Sequence, residues 1–280
     1  MQIRDYSLPA GWYPRESRAV TEFLTPFSVQ NGSSRAAISP HAGWYYSGAL
    51  AALGAASLKR DAETIVVIGG HLGAGSPPLF AMDDAVRTPF GHMIIDAPLR
   101  QNLINELDMR SISCAEDRYR DNTIEVLLPM AHFFFPDAKL LWLRLPAEIE
   151  SFDAGKIISR TAAKLNIKIN VLASTDLTHY GSNYGFSPKG SGKAALRWVR
   201  EVNDANFIKA VEAGDPKKAL NCAEDERAAC SAGAVLGAMG FAQEEKLGKA
   251  QLLEYATSAD ITGEEEPDSF VGYAAFAYGE

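Results

Sequence analysis

The chain has only three cysteines among its 280 residues. A set so sparse and odd builds no disulfide framework, so the thiols are expected to be free, in a reducing, cytoplasmic setting. No apolar run reaches the roughly 18 residues of a membrane span and no signal peptide precedes the first folded pattern, so no membrane association is expected. Basic residues are the scarcer charge: 27 Lys and Arg stand against 35 Asp and Glu, a formal net charge of −8. Nucleic acid requires Lys and Arg clustered on one face, so it is not an expected partner. Several catalytic signatures are missing as well. There is no Gly-x-Ser-x-Gly elbow, no Gly-x-x-x-x-Gly-Lys-Ser/Thr loop and no dinucleotide fingerprint after the first strand. The glycine-rich stretch 69–75 places His71 where a phosphate cradle would use backbone alone.

What is present is ample core material, 47% hydrophobic residues against 22% charged. Strand-like runs occupy 35–39, 64–69, 79–86, 139–145, 168–174, 251–258 and 270–278, each rich in aliphatic or aromatic residues. Helical patterns fill 48–58, 97–107, 123–134, 152–165, 194–213, 217–222 and 227–240. Strands separated by amphipathic helices imply right-handed crossovers. The last two strands are consecutive, joined by the acidic segment 263–268, and are expected to pair antiparallel. No linker or fixed-period repeat divides the chain. The expectation is one α/β domain over residues 1–280, with a central mixed, largely parallel sheet flanked by helices.

The chemistry concentrates at strand ends. Three of the five histidines follow buried-strand patterns: His41 after Ala36-Ala37-Ile38, His71 after Thr64–Gly69, and His179 after the run 169–175, which also delivers Asp176. In open α/β sheets such positions gather ligands. Cys230 lies near the start of a small-residue helix, where the backbone dipole favours a thiolate. Imidazole, thiolate and carboxylate together suit iron, copper or zinc rather than magnesium or calcium. The wide spacing of His41, His71, Asp176, His179 and Cys230 means that only the fold can assemble such a site. Cys114 and Cys222 have no comparable company and read as structural, His92 as a turn residue and His132 as part of an amphipathic helix. Asp121 or Asn122 reads as an N-cap.

In this order the segments resemble the Memo family, the B component grouped with AMMECR1-like and radical-SAM proteins. The resemblance rests on Gly11-Trp12-Tyr13-Pro14, Pro40-His41-Ala42-Gly43 with Tyr46-Ser47-Gly48, Gly70-His71 and Arg87-Thr88-Pro89-Phe90-Gly91. It continues in Ile124-Glu125-Val126-Leu127-Leu128-Pro129, in the run from Ser174 to Tyr180, in Tyr255 to Gly263 and in Val271-Gly272-Tyr273. It implies a fold similar to class III extradiol dioxygenases, with a cleft at the strand ends. It also implies a metal pocket formed by His41, His71 and Cys230, with Asp176 and His179 lining the same cleft as candidate catalytic groups. Iron is the first expectation, since the fold relatives use a facial His-His-carboxylate iron site; a thiolate in place of the carboxylate makes copper or zinc competitive. Roles attached to the family include iron or copper binding, redox activity and, in eukaryotes, phosphopeptide binding.

Five positions depart from the family pattern. Asp121-Asn122 stands where a Glu-His pair is usual, and an amide exchanges no proton near neutral pH. Ser231 replaces the glycine after the cysteine, Ala259 replaces a glycine after Ser258, and Gly70 replaces a Pro, Ser or Asn before the second histidine. Three functions stay open at this level. One is a metal-dependent redox enzyme or metal-binding accessory factor acting on a small molecule or protein, with AMMECR1-like or radical-SAM proteins as partners. The second is a non-catalytic module that binds a peptide or protein in the same cleft. The third is a metal-free hydrolase using Cys230 with His41 or His179.

Overall fold

The computed structural model describes residues 1–28 and 32–279. Its first half contains β1 (Ile3–Arg4), α1 (Ser17–Leu24), β2 (Ala36–Ser39), α2 (Trp44–Ala56), β3 (Thr64–Gly69), β4 (Leu79–Phe80), β5 (Ala85–Thr88), β6 (Gly91–Ile94), α3 (Ala97–Asp108), β7 (Ala115–Glu116), α4 (Asn122–Glu125) and α5 (Leu128–Phe134). The second half adds β8 (Lys139–Arg144), α6 (Glu150–Leu165), β9 (Ile169–Ser174), β10 (His179–Gly181), α7 (Gly192–Trp198), α8 (Asp204–Ala213), α9 (Pro216–Asp225), α10 (Ala232–Glu244), β11 (Ala250–Thr257), α11 (Ser258–Thr262) and β12 (Ser269–Tyr278). This is the α/β architecture expected, a mixed sheet flanked by helices.

The main sheet has nine strands in the order β10-β12-β2-β9-β3-β8-β4-β7, with β11 paired to β12 beside that path. Its centre, β2-β9-β3-β8, is parallel, and β12 joins it antiparallel to β2 and β11. Central parallel strands are covered on both faces, and that is why 65–68 and 171–173 read as unbroken aliphatic runs. Alternate residues serve opposite layers. Val66, Ile68, Leu141, Leu143, Val171 and Ala173 pack under α3, α6 and α10, whereas Ile65, Val67, Leu140, Trp142 and Leu172 pack under α1, α2 and α5. Helix α10 approaches α6 closely because its residues are small: a Cβ on Gly155 would meet the Gly237 carbonyl carbon at 2.9 Å.

Three segments differ from the sequence reading. The run 79–86 divides into β4 in the main sheet and β5 in a separate three-stranded sheet, β1-β5-β6, because the chain turns at 81–84. The helix expected over 123–134 breaks into α4 and α5, with Pro129 in the first turn of α5. The helix expected over 194–213 contains a π-helical turn at Val199–Asn203. The start of α10 also lies later than expected, at Ala232, so Cys230 precedes the helix and Ser231 is its N-cap.

Candidate metal centre

The parallel order β2-β9-β3 puts the carboxyl ends of three strands side by side, and one reactive group follows each. His41 comes after β2, Asp176 after β9 and His71 after β3. Cys230 reaches the same place from across the loop. Its N–H donates to the Asp176 carbonyl at 3.2 Å, and Ala229 bridges Leu177. As a result the ligand atoms of His41, His71 and Cys230 all lie within 4.8 Å of one another. The Cys230 Sγ is 3.2 Å from His41 Nε2. The two imidazoles meet edge to face, with ring centroids 4.9 Å apart.

Each of these imidazoles has its far nitrogen held. His41 Nδ1 lies 2.5 Å from Ser174 Oγ, and its backbone N–H donates to Asp176 Oδ1 at 2.7 Å. His71 Nδ1 lies 3.0 Å from Asp121 Oδ2, and His71 adopts a left-handed backbone with φ 58°. A non-glycine residue in that region stores strain that its surroundings must hold. With the Nδ1 atoms engaged, both Nε2 atoms are turned toward the thiol, the arrangement in which metal-binding histidines are oriented by their neighbours. Asp176 and His179 stand at the same cleft: Asp176 Oδ2 is 3.9 Å from both His41 Nε2 and His179 Nε2. That distance exceeds a hydrogen bond, and His179 Nε2 is buried without a partner.

Charge follows from this packing. Burial opposes the thiolate of Cys230, but His41, His179 and His71 around it hold its pKa well below the ordinary value. Burial likewise opposes charge on the histidines, yet Asp121 with Cys230 pushes His71 up to about 10, and Asp176 with Cys230 pushes His179 up to about 10. Asp121, against its burial, is held down at about 2 by His71, Thr123 and Arg144. Thiol and imidazoles thus favour one another's charged forms, and a metal cation would take the place of the imidazole protons.

Several supporting residues were not singled out from the sequence. Arg144, the last residue of β8, is 4% exposed and donates to the Gly70 carbonyl at 2.8 Å; it also lies 3.2 Å from Asp121 Oδ2 and 3.4 Å from Asp117 Oδ1. It thereby clamps the strand end that presents His71. Its sequence signal was a cation inside the apolar run Leu-Leu-Trp-Leu-Arg-Leu. Glu125 is buried and accepts from the Ser7 and Leu8 N–H groups and from the Tyr13 hydroxyl, fixing the segment that places Trp12 in the cleft wall. The π-helical turn aims Asn203 and Asp204 inward. Asn203 donates to Thr178 Oγ1 at 2.9 Å, and Asp204 accepts from the Thr178 N–H and hydroxyl and from Tyr255. Gly272 is glycine because a Cβ there would meet Asp204 Cγ at 3.0 Å. Of the N-cap candidates, Asp121 is the one that accepts from the Thr123 N–H, while Asn122 donates to the His41 carbonyl at 2.9 Å. His132 and His92 lie apart from the cleft.

These groups open on a cleft of about 780 Å³ whose walls include Trp12, Tyr46, Tyr184 and Tyr273. The order and spacing of its residues are matched elsewhere: the profile described as Memo-like protein covers residues 4–277. The chain belongs to the Memo family. Relatives include a MEMO1 family protein of Pyrococcus horikoshii, 27% identical over 98% of both chains. Another, from Methanococcus maripaludis, is 30% identical over 85% of this chain and 81% of that one. An uncharacterized protein of Escherichia coli K12 of known crystal structure shares the fold, with a TM-score of 0.52 at 14% identity, over 86% of this chain and 98% of its own. Two of the positions that the sequence reading marked as departures touch each other, since Gly70 packs directly on Ser231.

Proposed function

We propose that this Memo-family cleft is a metal-dependent redox centre, in which His41, His71 and Cys230 hold iron, with copper or zinc as competitors, and a small molecule or peptide enters beside them. The observation that carries the reading is the convergence of three ligand atoms within 4.8 Å while both Nδ1 atoms are held by Ser174 and Asp121. Ligand bonds of about 2.0–2.3 Å fit such a cluster with small side-chain adjustments. When bound, the metal supplies a Lewis acid able to bind and polarise an oxygen ligand. The chain supplies the rest. The partnerless His179 Nε2 is placed to hold or pass a proton at a ligand in the cleft, and Asp176 fixes the His41 backbone while keeping a negative charge beside His179. AMMECR1-like or radical-SAM proteins and a cytoplasmic setting belong to the same proposal.

One observation favours a binding module instead. Where the family pattern has a titratable histidine, the Asn122 amide is committed to the His41 carbonyl. The cysteine-hydrolase reading is weaker, because the N–H groups of Cys230 and Ser231 both donate internally and leave neither to stabilise an oxyanion. Metal analysis of protein purified without chelator or affinity-tag metal separates the first two. The redox reading expects near-stoichiometric iron or copper that His41→Ala abolishes and Asn122→His retains. Protein that stays metal-free after incubation with ferrous, cupric and zinc ions overturns it in favour of the binding module.

A further inference from the structure

The walls of the cleft carry a charge pattern of their own. Among the described residues no lysine or arginine lines it, whereas Asp176 and Glu264 do. The cationic side chains near its rim are committed elsewhere: Arg227 donates to the Tyr184 and Gly185 carbonyls and lies over the Phe186 ring, and Lys193 pairs with Glu265 and Glu266. Arg144, behind the site, is clamped by Asp117, Asp121 and the Gly70 carbonyl. Each imidazole at the cleft already has an anionic group beside it, Asp121 for His71 and Asp176 for His41 and His179. Glu264 has no ion pair among the described residues and is exposed.

The remaining wall is aromatic. Tyr46 and Tyr184 are 41% and 38% exposed; Tyr46, Tyr184 and the buried Tyr273 lie close enough to interact with one another, and Tyr184 and Tyr273 also with Asp176. Trp12 adds an indole from the segment pinned by Glu125. Aromatic faces attract cations, and an unpaired carboxylate at the rim adds to that attraction. A phosphorylated group needs the opposite wall, with guanidinium or ammonium donors converging on its oxygens. The thiolate of Cys230 and the carboxylate of Asp176 would also offset the charge of a divalent metal, so the metal would create no net attraction for a dianion.

We infer that this cleft selects ligands with a neutral or cationic aromatic body and excludes phosphorylated ones, with Glu264 setting the preference for positive charge. The inference rests on the proposed use of the cleft as a ligand site. It is tested by titrating the full chain calorimetrically with three probes of identical ring and spacer: 2-phenylethylamine, 2-phenylethanol and 2-phenylethyl phosphate. Metal content is measured on the same samples. The amine is expected to bind about tenfold tighter than the phosphate, with the alcohol between them. Glu264→Lys, an exchange at an exposed site, should cancel the amine's advantage and strengthen phosphate binding. Repeating the series on His71→Ala separates the two ideas. The ranking comes from the walls and should persist when metal is lost. A ranking that holds in parent protein that takes up no metal removes the metal proposal alone, while phosphate binding tightest to metal-loaded protein removes this one alone. Failure of all three probes to bind, or a Glu264→Lys variant with unchanged preferences, also overturns it.

Discussion

Gly70 and Ser231 fit so closely that a Cβ on residue 70 would come within 2.8 Å of the Ser231 Cα and closer still to its Cβ. The resemblance to the Memo family leads one to expect a side chain at the first position and glycine at the second, the reverse of what this chain carries. Together they conserve the space between the end of β3 and the start of α10, the two elements that carry His71 and Cys230. The volume has moved from one side of the contact to the other.

A double-substitution cycle should show this exchange. Gly70→Ser alone is expected to cost about 1–3 kcal/mol through overpacking. Ser231→Gly alone should cost a few tenths, since Ser231 makes no side-chain cap bond at α10. The pair together should recover most of the loss, a coupling of about 1 kcal/mol or more, read by urea denaturation. Strictly additive effects would mean that the chain relieves the clash by other movements.

Removing Arg144 should strike both stability and the site. Its guanidinium is buried with Asp117 and Asp121, and Arg144→Leu leaves buried carboxylates without their cation, a loss of about 3–5 kcal/mol. Arg144→Lys keeps the charge but not the fork that spans Gly70, Asp117 and Asp121. In that variant the fold should survive while metal retention falls about 10- to 100-fold, because the strand end presenting His71 is no longer clamped. Unchanged metal binding in Arg144→Lys would show that the clamp does not govern the centre.

The three thiols should react in a definite order in metal-free protein. Burial pushes Cys114 up to about 12 and also raises Cys222, whereas the imidazoles hold Cys230 well below its ordinary value. Only the thiolate alkylates readily. Brief iodoacetamide treatment followed by mass spectrometry should therefore find Cys230 labelled first, and bound metal should suppress that label selectively. Equal labelling of all three would leave Cys230 an ordinary packing residue.

Asp204 gives the fold a pH dependence of definite sign. Burial raises its carboxyl from the ordinary 3.8 to about 6, even with hydrogen bonds from Thr178 and Tyr255 favouring the charged form. A raised carboxyl holds its proton more tightly when folded, so its contribution is complete below pH 3.8 and is lost as pH rises through about 6. The loss by neutral pH is on the order of 3 kcal/mol. Asp204→Asn keeps the hydrogen-bonding shape without the charge. The stability of the parent minus that of the variant, measured in urea from pH 4 to pH 8, should fall across the window between those two values. A difference that stays flat, or rises, would contradict the assignment.

Most of the chemistry of the centre was visible in local order. A histidine that directly follows an aliphatic run must emerge at a strand end, so His41 and His71 could be named from their flanks. Cys230 could be named only in their company, because a thiol before an alanine-rich helix looks like packing until a partner faces it. Glu125, Arg144 and Asp204 escaped notice for the opposite reason. Each sits at the end of an element, and nothing local says which distant backbone group or charge will meet it. The break of the 123–134 helix at Val126-Leu127 had a local sign in Pro129, which the apolar periodicity overrode in the reading of one continuous helix. The π-helical turn at Val199–Asn203 had none, and the bonds it accompanies, between Thr178 and both Asn203 and Asp204, join residues more than 20 positions apart.

Hydrophobic periodicity, strand-end histidines and the order of short motifs by themselves determined the α/β class, the family and the groups offered for chemistry, because each depends on neighbours within a few residues. The order of the parallel strands, the closeness of His41 to Cys230 and the exchange of volume between Gly70 and Ser231 were decided only by tertiary structure. These depend on contacts spanning up to 189 residues of chain, as between His41 and Cys230. Packing of whole layers sets such distances, and no local propensity encodes them.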